Sequence, residues 1–281
     1  PVRSLLARRP SKLAKLRREL DALPKSEAAK PYLERVESQY GRDHFLMSDR
    51  LHWVDTADVL ADPPEKAAGK RRKGHNFLME SLLPLLQAAD ESLHITSPYF
   101  IPGREGMEIF LDLAERGVSL AILTNSLAAT DVAAVHAGYA RYRKPLLLGG
   151  VRLHELRSQA DQPSFTLRGS GQASLHTKAF TRDGRTGYIG SLNFDPRSAS
   201  LNTEMGVVFT SPPLVARMDE IFAEEIRRTM SFELDVDSAN RIIWMTEEQG
   251  RTRTYRREPD AALSRRIVAG IMRFLPLESQ L

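Results

Sequence analysis

One stretch of the chain, residues 175–195, combines a predicted β-hairpin with six residues at the fixed spacing H-x-K-x4-D-x6-G-S-x-N. The six are His176, Lys178, Asp183, Gly190, Ser191 and Asn193. Residues 175–181 and 186–189 alternate and are rich in strand formers, and the Asp-Gly dipeptide between them is typical of two-residue hairpin turns. From average residue usage, a chance match in a chain this long has odds of about one in 10^5. The pattern therefore predicts two antiparallel strands with a functional site at their open end.

The register of this hairpin decides which side chains share a face. A two-residue turn would place His176 directly opposite Ser191. Side chains alternate along a strand, so His176 and Lys178 point the same way, and directly opposed residues share a face. Asn193 follows the second strand close to the same place. We therefore expect an imidazole, an ammonium, a hydroxyl and a carboxamide on one surface, in a register that a β-bulge would shift.

This set of groups suits a phosphate ester. Lys178 and Asn193 can bind the non-bridging oxygens, and Ser191 can add a hydrogen-bond donor. His176 can attack phosphorus or protonate a leaving alkoxide, because the unperturbed pKa of histidine lies near neutrality. Charge neutralisation and positioning are most of what phosphoryl transfer requires, so the chemistry needs no metal and no cofactor. The position of Asp183 suggests that it shapes the turn or pairs with a nearby cation.

The stretch resembles the HKD motif, the signature of the phospholipase D superfamily. The likeness continues through N-F-D-P-R-S-A-S-L-N-T-E at 193–204, and upstream through S-P-Y-F-I-P at 97–102, T-N-S-L-A-A-T-D at 124–131 and the segment 136–151. With the tail L-P-L-E-S-Q-L, these segments are most similar to the C-terminal half of bacterial cardiolipin synthases, in particular the cardiolipin synthase C-like branch. The resemblance implies an α/β fold: a phospholipase D-like α-β-α sandwich with a mixed sheet, forming one catalytic lobe.

The resemblance also implies a mechanism, that of a phosphatidyltransferase acting through a phosphohistidine. In the family, two HKD motifs meet between two lobes: one histidine attacks phosphorus, and the other protonates the leaving alcohol and then activates the acceptor. His176 holds the position of the second motif, so it would be the general acid and base, working with Lys178 and Asp183. Glu204 matches the acid that orients the histidine, and a carboxylate on an imidazole fixes its tautomer. Ser191 and Asn193 would bind substrate.

The chain departs from the family because it carries only one such motif. Of its other six histidines, none has a lysine two residues on. The opening P-V-R-S-L-L resembles the end of a helix that closes a first lobe, so we expect a fragment in which residues 1–74 are a basic helix and linker and residues 75–281 the catalytic lobe. Alternatively, a second copy supplies the missing motif across a two-fold axis. A phospholipase D-like hydrolase, a dimeric nuclease and an inactive isolated lobe remain open.

Net charge and composition limit the classes of partner that this chain can bind. The net charge is +4, no cysteine is present, and no apolar run is long enough to cross a bilayer. Residues 66–73, K-A-A-G-K-R-R-K, carry five basic residues and no acidic one, which suits anionic phospholipid headgroups or a merely solvated loop. Nucleic-acid binding is disfavoured because residues 64–74 hold no aromatic side chain. We therefore expect a peripheral protein of the bacterial inner membrane, on a side that the sequence does not indicate.

Hydrophobic periodicity predicts the remaining elements. Helices are expected at 11–23, 76–89, 105–116, from a Thr130 cap to about 144, and after Pro212, and strands near 52–60, 93–96, 118–123, 151–156 and 204–209. His136, Tyr139 and Arg143 would share one helix face, either as simple packing or near a substrate channel. Tyr99 and Phe100 are candidates for a substrate path or for the core.

Overall fold

The computed structural model describes residues 53–69, 77–158 and 174–272, together with residues 14, 18 and 22. The chain divides into two compact units, 1–53 and 54–281, and the description below concerns the second. The helix predicted at 11–23 lies outside the described residues except for three positions, all helical and exposed. The predicted domain boundary after residue 74 stays a prediction, although the strand expected near 52–60 forms and joins the sheet of the second unit.

Ten strands and seven α-helices make up the described part of this unit. The strands are β1 (Thr56–Ala61), β2 (Ser92–Thr96), β3 (Ser119–Asn125), β4 (Arg152–Leu156), β5 (Ala179–Arg182), β6 (Thr186–Gly190), β7 (Met205–Thr210), β8 (Ser231–Val236), β9 (Ile242–Glu248) and β10 (Arg251–Tyr255). The helices are α1 (Leu78–Gln87), α2 (Gly103–Glu115), α3 (Ala133–Tyr139), α4 (Arg143–Leu148), α5 (Pro196–Ser200), α6 (Pro212–Glu225) and α7 (Leu263–Met272).

All ten strands form one open mixed sheet in the order β1-β7-β6-β5-β2-β3-β4-β8-β9-β10. The central pairs β2-β3 and β3-β4 are parallel, because each is joined by a crossover that contains helix, and the other pairs are antiparallel. The expected α/β fold with a mixed sheet is confirmed.

The central strands are covered on both faces, as alternation along β3 shows. Leu120 and Ile122 point into the larger core, which also contains buried residues of α1, α2, α3 and α4. Ala121 and Leu123 point to the opposite face, where they pack with Phe222 of α6. Burying apolar side chains on both sides accounts for the nearly continuous apolar character of this strand. The sheet is therefore the middle layer of the sandwich.

The hairpin register differs by one residue from the predicted one. Arg182 is opposed by both Arg185, whose N–H bonds its carbonyl at 3.0 Å, and Thr186, with which it pairs in the ladder. The turn does use Asp183 and Gly184, both at positive φ, but a bulge at Arg185 adds a residue to the second strand. His176 is therefore not directly opposite Ser191, and the predicted pairing was wrong.

Two helix predictions also need correction. The helix expected from Thr130 to about 144 is interrupted after Tyr139 and resumes at Arg143, and its N-cap residue is Val132. Thr130 accepts a hydrogen bond from the N–H of Val132 without capping the helix. On α6, the sequence predicts an apolar face of Leu214, Met218, Ile221, Phe222 and Ile226; Phe222 is buried, whereas Ile221 is exposed.

Candidate active site

Five of the six predicted catalytic and substrate-binding residues lie at one end of the sheet. His176 and Lys178 directly precede β5, Ser191 and Asn193 follow β6, and Glu204 directly precedes β7. Because β5 and β7 both run antiparallel to β6, these chain ends meet at the same edge. The carboxyl ends of the parallel strands β2 and β3 lie there too, since Thr96 pairs with Ala179. Such an edge is where open α/β sheets bind ligands.

The imidazole and the ammonium are neighbours, as the spacing of the motif predicts. The Lys178 Nζ lies 3.4 Å from His176 Nδ1 and donates to the carbonyl oxygen of His176 at 2.8 Å. The backbone of Lys178 is held by Gly190, whose N–H bonds its carbonyl at 3.0 Å. His176 is exposed, so its ring can meet a ligand or a second lobe.

The electrostatics around Lys178 reflect a half-buried cation among acids. Burial lowers the pKa of Lys178 below its ordinary value, while the carboxylates of Glu204, Asp195 and Asp131 act to raise it. Burial likewise raises the pKa of Asp195 to about 6, against the hydrogen bond that its carboxylate accepts from the N–H of Ser198 at 2.6 Å. A phosphate would add negative charge beside the ammonium and stabilise its charged form.

Ser191 and Glu204 form a hydrogen-bonded pair beside the motif. The Ser191 hydroxyl donates to the Glu204 carboxylate and accepts from the N–H of Met205 at 3.0 Å. Asp62 fixes the backbone at this point, because its carboxylate accepts from the N–H of Glu204 at 2.9 Å. Lys66, fully buried, neutralises Asp62 at 2.6 Å. Lys66 is therefore not part of a lipid-facing surface, and residues 70–73 of that basic run lie outside the described residues.

Asn193 carries an unsatisfied polar atom. The side chain is buried, and its Oδ1 has no hydrogen-bond partner among the described residues. The next residue, Phe194, is fixed because its N–H bonds the Ser97 hydroxyl at 3.1 Å and its carbonyl accepts from Ile101. A buried carboxamide oxygen without a partner costs free energy unless a ligand or water satisfies it, so this atom favours a binding role.

Asp183 lies at the opposite end of the hairpin, about 16 Å from Lys178 along an extended strand. Its carboxylate accepts hydrogen bonds from the backbone N–H groups of Asp90, Glu91 and Ser92 at 2.8 to 3.3 Å. The structure therefore does not bring it together with the other motif residues. These bonds tie the hairpin turn to the start of β2.

Asn125, at the end of β3, is a residue that the motif analysis did not single out. Its Oδ1 accepts from the N–H of Leu175 at 2.9 Å, and its Nδ2 donates to the carbonyl of Leu175 at 3.2 Å. Both bonds are buried and hold the backbone directly before His176. No local pattern marks such a residue, because the contact spans fifty positions; only its place in the family-like segment 124–131 drew attention to it.

His136, Tyr139 and Arg143 form a second group, which is buried. The Arg143 guanidinium lies 3.2 Å from Glu155 and 2.7 Å from Glu258, and Glu258 also lies 3.2 Å from His136. His136, Glu155 and Glu258 are spaced closely enough to hold a metal ion, but the guanidinium already supplies the positive charge. Of the two path candidates, Phe100 is in the core, and Tyr99 donates its hydroxyl to Asp131 at 2.7 Å. Of the two interpretations offered by the sequence, packing in the core therefore applies to His136 and Phe100, and a place along a substrate path does not.

Comparison with known protein sequences identifies the family of this chain. Residues 82–226 match the family described as "Cardiolipin synthase, PLD-like domain". The chain is 39% identical over 252 residues to cardiolipin synthase C of Escherichia coli (strain K12), covering 88% of this chain and 53% of that protein. It is 27% identical over 154 residues to cardiolipin synthase A of Cronobacter sakazakii, covering 55% and 28%. The chain therefore belongs to the phospholipase D-like domain family of cardiolipin synthases.

Two further findings complete the comparison. The chain spans about half the length of cardiolipin synthase C. Among solved structures it is similar to Nuc, a phospholipase D family member of Salmonella typhimurium, at 19% identity and a TM-score of 0.44, covering 60% of this chain and 93% of Nuc.

Within the described residues, no helix is both long and apolar enough to span a bilayer.

Proposed function

We propose that this chain is the second catalytic lobe of a phosphatidyltransferase of the cardiolipin synthase type. It would move a phosphatidyl group between phospholipids through a phosphohistidine, as a peripheral protein of the bacterial inner membrane that uses anionic phospholipids. The observation that carries the proposal is the juxtaposition of the His176 imidazole with the Lys178 ammonium, at the sheet end where Asn193 is buried. A complete site needs a second H-x-K motif, from a first lobe or a second copy.

We assign His176 the role of general acid and base. The Lys178 ammonium lies 3.4 Å from Nδ1, so we assign the reacting proton to Nε2. The imidazolium can give its Nε2 proton to the leaving alkoxide, and the neutral ring that remains can then take a proton at Nε2 from the acceptor hydroxyl. The histidine of the other motif would be the nucleophile, forming the phosphorus–nitrogen bond as the first alcohol leaves.

The other residues bind the phosphate or hold the site in place. Lys178 neutralises a non-bridging oxygen, Asn193 donates to another through Nδ2, and its unsatisfied Oδ1 can accept from the incoming hydroxyl. Ser191 and Glu204 act as a pair, since the serine hydroxyl is engaged by the carboxylate. For Asp183 we propose a structural role in place of the catalytic one, because its carboxylate bonds three backbone N–H groups far from the imidazole.

The decisive experiment uses the natural polypeptide at its full length, on vesicles containing phosphatidylglycerol. Mass spectrometry of the lipids would separate cardiolipin, the transfer product, from phosphatidic acid, the hydrolysis product. His176→Ala should lower transfer by about 100- to 10,000-fold, the usual contribution of a general acid. His154→Gln is the matched control, because His154 is buried in β4. Undiminished transfer by His176→Ala would contradict the proposal, and phosphatidic acid alone would indicate a hydrolase.

The intact mass of the native polypeptide shows where the second motif comes from. A mass near 31.6 kDa would mean that two copies of His176 complete the site in a homodimer. A much larger mass would mean that a first lobe supplies the nucleophile. In that case this chain alone should be inactive, and adding the first lobe should restore transfer.

A further inference from the structure

Helix α7 presents aliphatic side chains to solvent. Leu263, Ile267, Val268 and Ile271 are 71%, 54%, 44% and 61% exposed. Leu263, Ile267 and Ile271 are spaced four residues apart, so they form one stripe along the helix. Isolated exposed aliphatics are ordinary, but four on one ten-residue helix form a contiguous apolar surface. We call these four residues the α7 stripe.

On α7 the aliphatic side chains face outward and the arginines are half-buried, which is the reverse of the arrangement on a solvent-facing helix. Its inner side docks on α3 through Ala269, which is buried, and Met272. The two arginines are half-buried, and Arg265 donates to the carbonyl of Thr130. The helix contains no acidic residue. An arginine-bearing helix that turns its aliphatic side outward has the character of a helix that lies in a lipid interface.

The segment before α7 adds outward positive charge. Arg256 and Arg257 are exposed. Of the neighbouring acids, Glu258 pairs with the buried Arg143, and the exposed Asp260 lies 3.7 Å from Arg157. This segment and α7 together therefore expose aliphatic side chains and two arginines, which complement an anionic lipid surface.

Helix α7 is linked to the active site through its inner side. Arg265 contacts Thr130, and the next residue, Asp131, accepts the Tyr99 hydroxyl and acts electrostatically on Lys178. A bilayer that holds α7 would therefore be connected to the site through Thr130 and Asp131.

We infer that the α7 stripe docks this chain on an anionic phospholipid surface, an inference that rests on the proposed lipid substrate. The ten described residues of α7 span about 15 Å, about half the hydrocarbon thickness of a bilayer, so they would lie in the interface. A second copy is the less favourable occupant, because a two-fold contact through this stripe would bring the arginines of both copies together.

The test measures co-sedimentation of the full polypeptide with vesicles of phosphatidylcholine alone or mixed with phosphatidylglycerol. The double variant Leu263→Gln/Ile271→Gln should bind mixed vesicles at least about tenfold more weakly. The double variant Val59→Gln/Leu148→Gln is the control, because its residues have nearly the same exposure, 67% and 62%, and lie elsewhere. Its binding should equal that of the wild type. Arg256→Gln/Arg257→Gln should reduce the preference for phosphatidylglycerol.

Equal binding by the α7 and control variants would overturn the inference. It would also be overturned if the α7 variant changed the oligomeric mass in the absence of lipid, because the stripe would then be an interface between copies. Hydrolysis of a soluble phosphodiester separates this inference from the proposed function. The α7 variant should retain that activity, whereas His176→Ala should lose it whether or not the protein binds vesicles.

Discussion

The Arg143 cluster and the Lys178 site both join cations to carboxylates, yet they differ in how closely those charges are paired. Around Arg143, Glu155 and Glu258 are both within 3.2 Å of the guanidinium, and Trp244 donates to Glu155 at 3.0 Å. Around Lys178 the acids act over longer range, and the neighbouring imidazole is exposed. The first cluster pairs its guanidinium closely with carboxylates inside the protein, and the second presents an exposed imidazole beside its ammonium. One therefore stabilises the fold, and the other is suited to a ligand.

The largest effect expected in this comparison is a loss of transfer activity at Lys178 without a loss of stability. Lys178→Met should lower phosphatidyl transfer by about 100- to 1,000-fold, because the developing phosphate charge loses its cation. The melting temperature should stay the same or rise, since burial disfavours the charged lysine in the absence of ligand. Lys144→Met, on α4, is the matched control for transfer activity. A variant that unfolds at much lower temperature would place Lys178 in the same structural category as Arg143.

Replacing Arg143 should instead lower stability, which Lys178→Met is expected to leave unchanged or raise. Arg143→Met leaves the buried Glu155 and the half-buried Glu258 without their cation, which should lower the free energy of unfolding by about 3 to 5 kcal/mol. Urea denaturation measures this change. Adding Glu155→Gln and Glu258→Gln should recover part of the loss, because it removes the uncompensated charges. If Arg143→Met alone were as stable as the wild type, the cluster would not be a stabilising element.

The dependence of stability on pH should also have opposite signs in the two regions. Burial would raise the pKa of Glu258, but Arg143 and His136 outweigh it and hold that pKa below its ordinary value. Its contribution is present above the unfolded pKa of about 4.5 and is lost as the pH falls through the folded value. Asp195, with a pKa of about 6, contributes stability below its ordinary pKa of about 4, and this is lost as the pH rises through 6.

Asp195→Asn tests the second half of that statement. The variant removes a carboxylate that burial makes costly to ionise, while asparagine can still cap the following helix. Relative to the wild type it should gain about 2 to 3 kcal/mol between pH 4 and pH 7. Urea denaturation at several pH values measures the difference. A constant difference over that interval would show that Asp195 does not titrate with burial as described.

The smallest effect concerns Asp183, the one residue of the motif that lies away from the site. Asp183→Ala should lower the free energy of unfolding by about 1 to 2 kcal/mol, because the N–H groups of residues 90–92 lose their acceptor. Transfer should stay within about twofold of the wild type. Asp183→Asn retains one acceptor oxygen and should lose less stability. A large fall in transfer with unchanged stability would restore Asp183 to the catalytic set.

The sequence predicted features that depend on interactions between near neighbours, but not features that depend on contacts between distant residues. The turn at Asp183 and Gly184 and the strand after it follow from local backbone preferences and lie where they were expected, whereas the strand before it begins at Ala179 and not at Leu175. The one-residue bulge was not predictable, because the Arg185 carbonyl accepts a hydrogen bond from the N–H of Ser211, a distant contact. The strands of residues 231–255 and helix α7 were not predicted from periodicity either.

The sequence by itself determined the chemical groups of the site and their order along the hairpin, since the spacing of His176, Lys178 and Asn193 is a covalent property of the chain. The tertiary structure decided which of these groups meet. It brought Asn125 to the backbone before His176, placed Lys66 in the interior, and turned the α7 stripe outward. These outcomes depend on packing between elements far apart in the chain, and local periodicity and residue type do not specify such contacts.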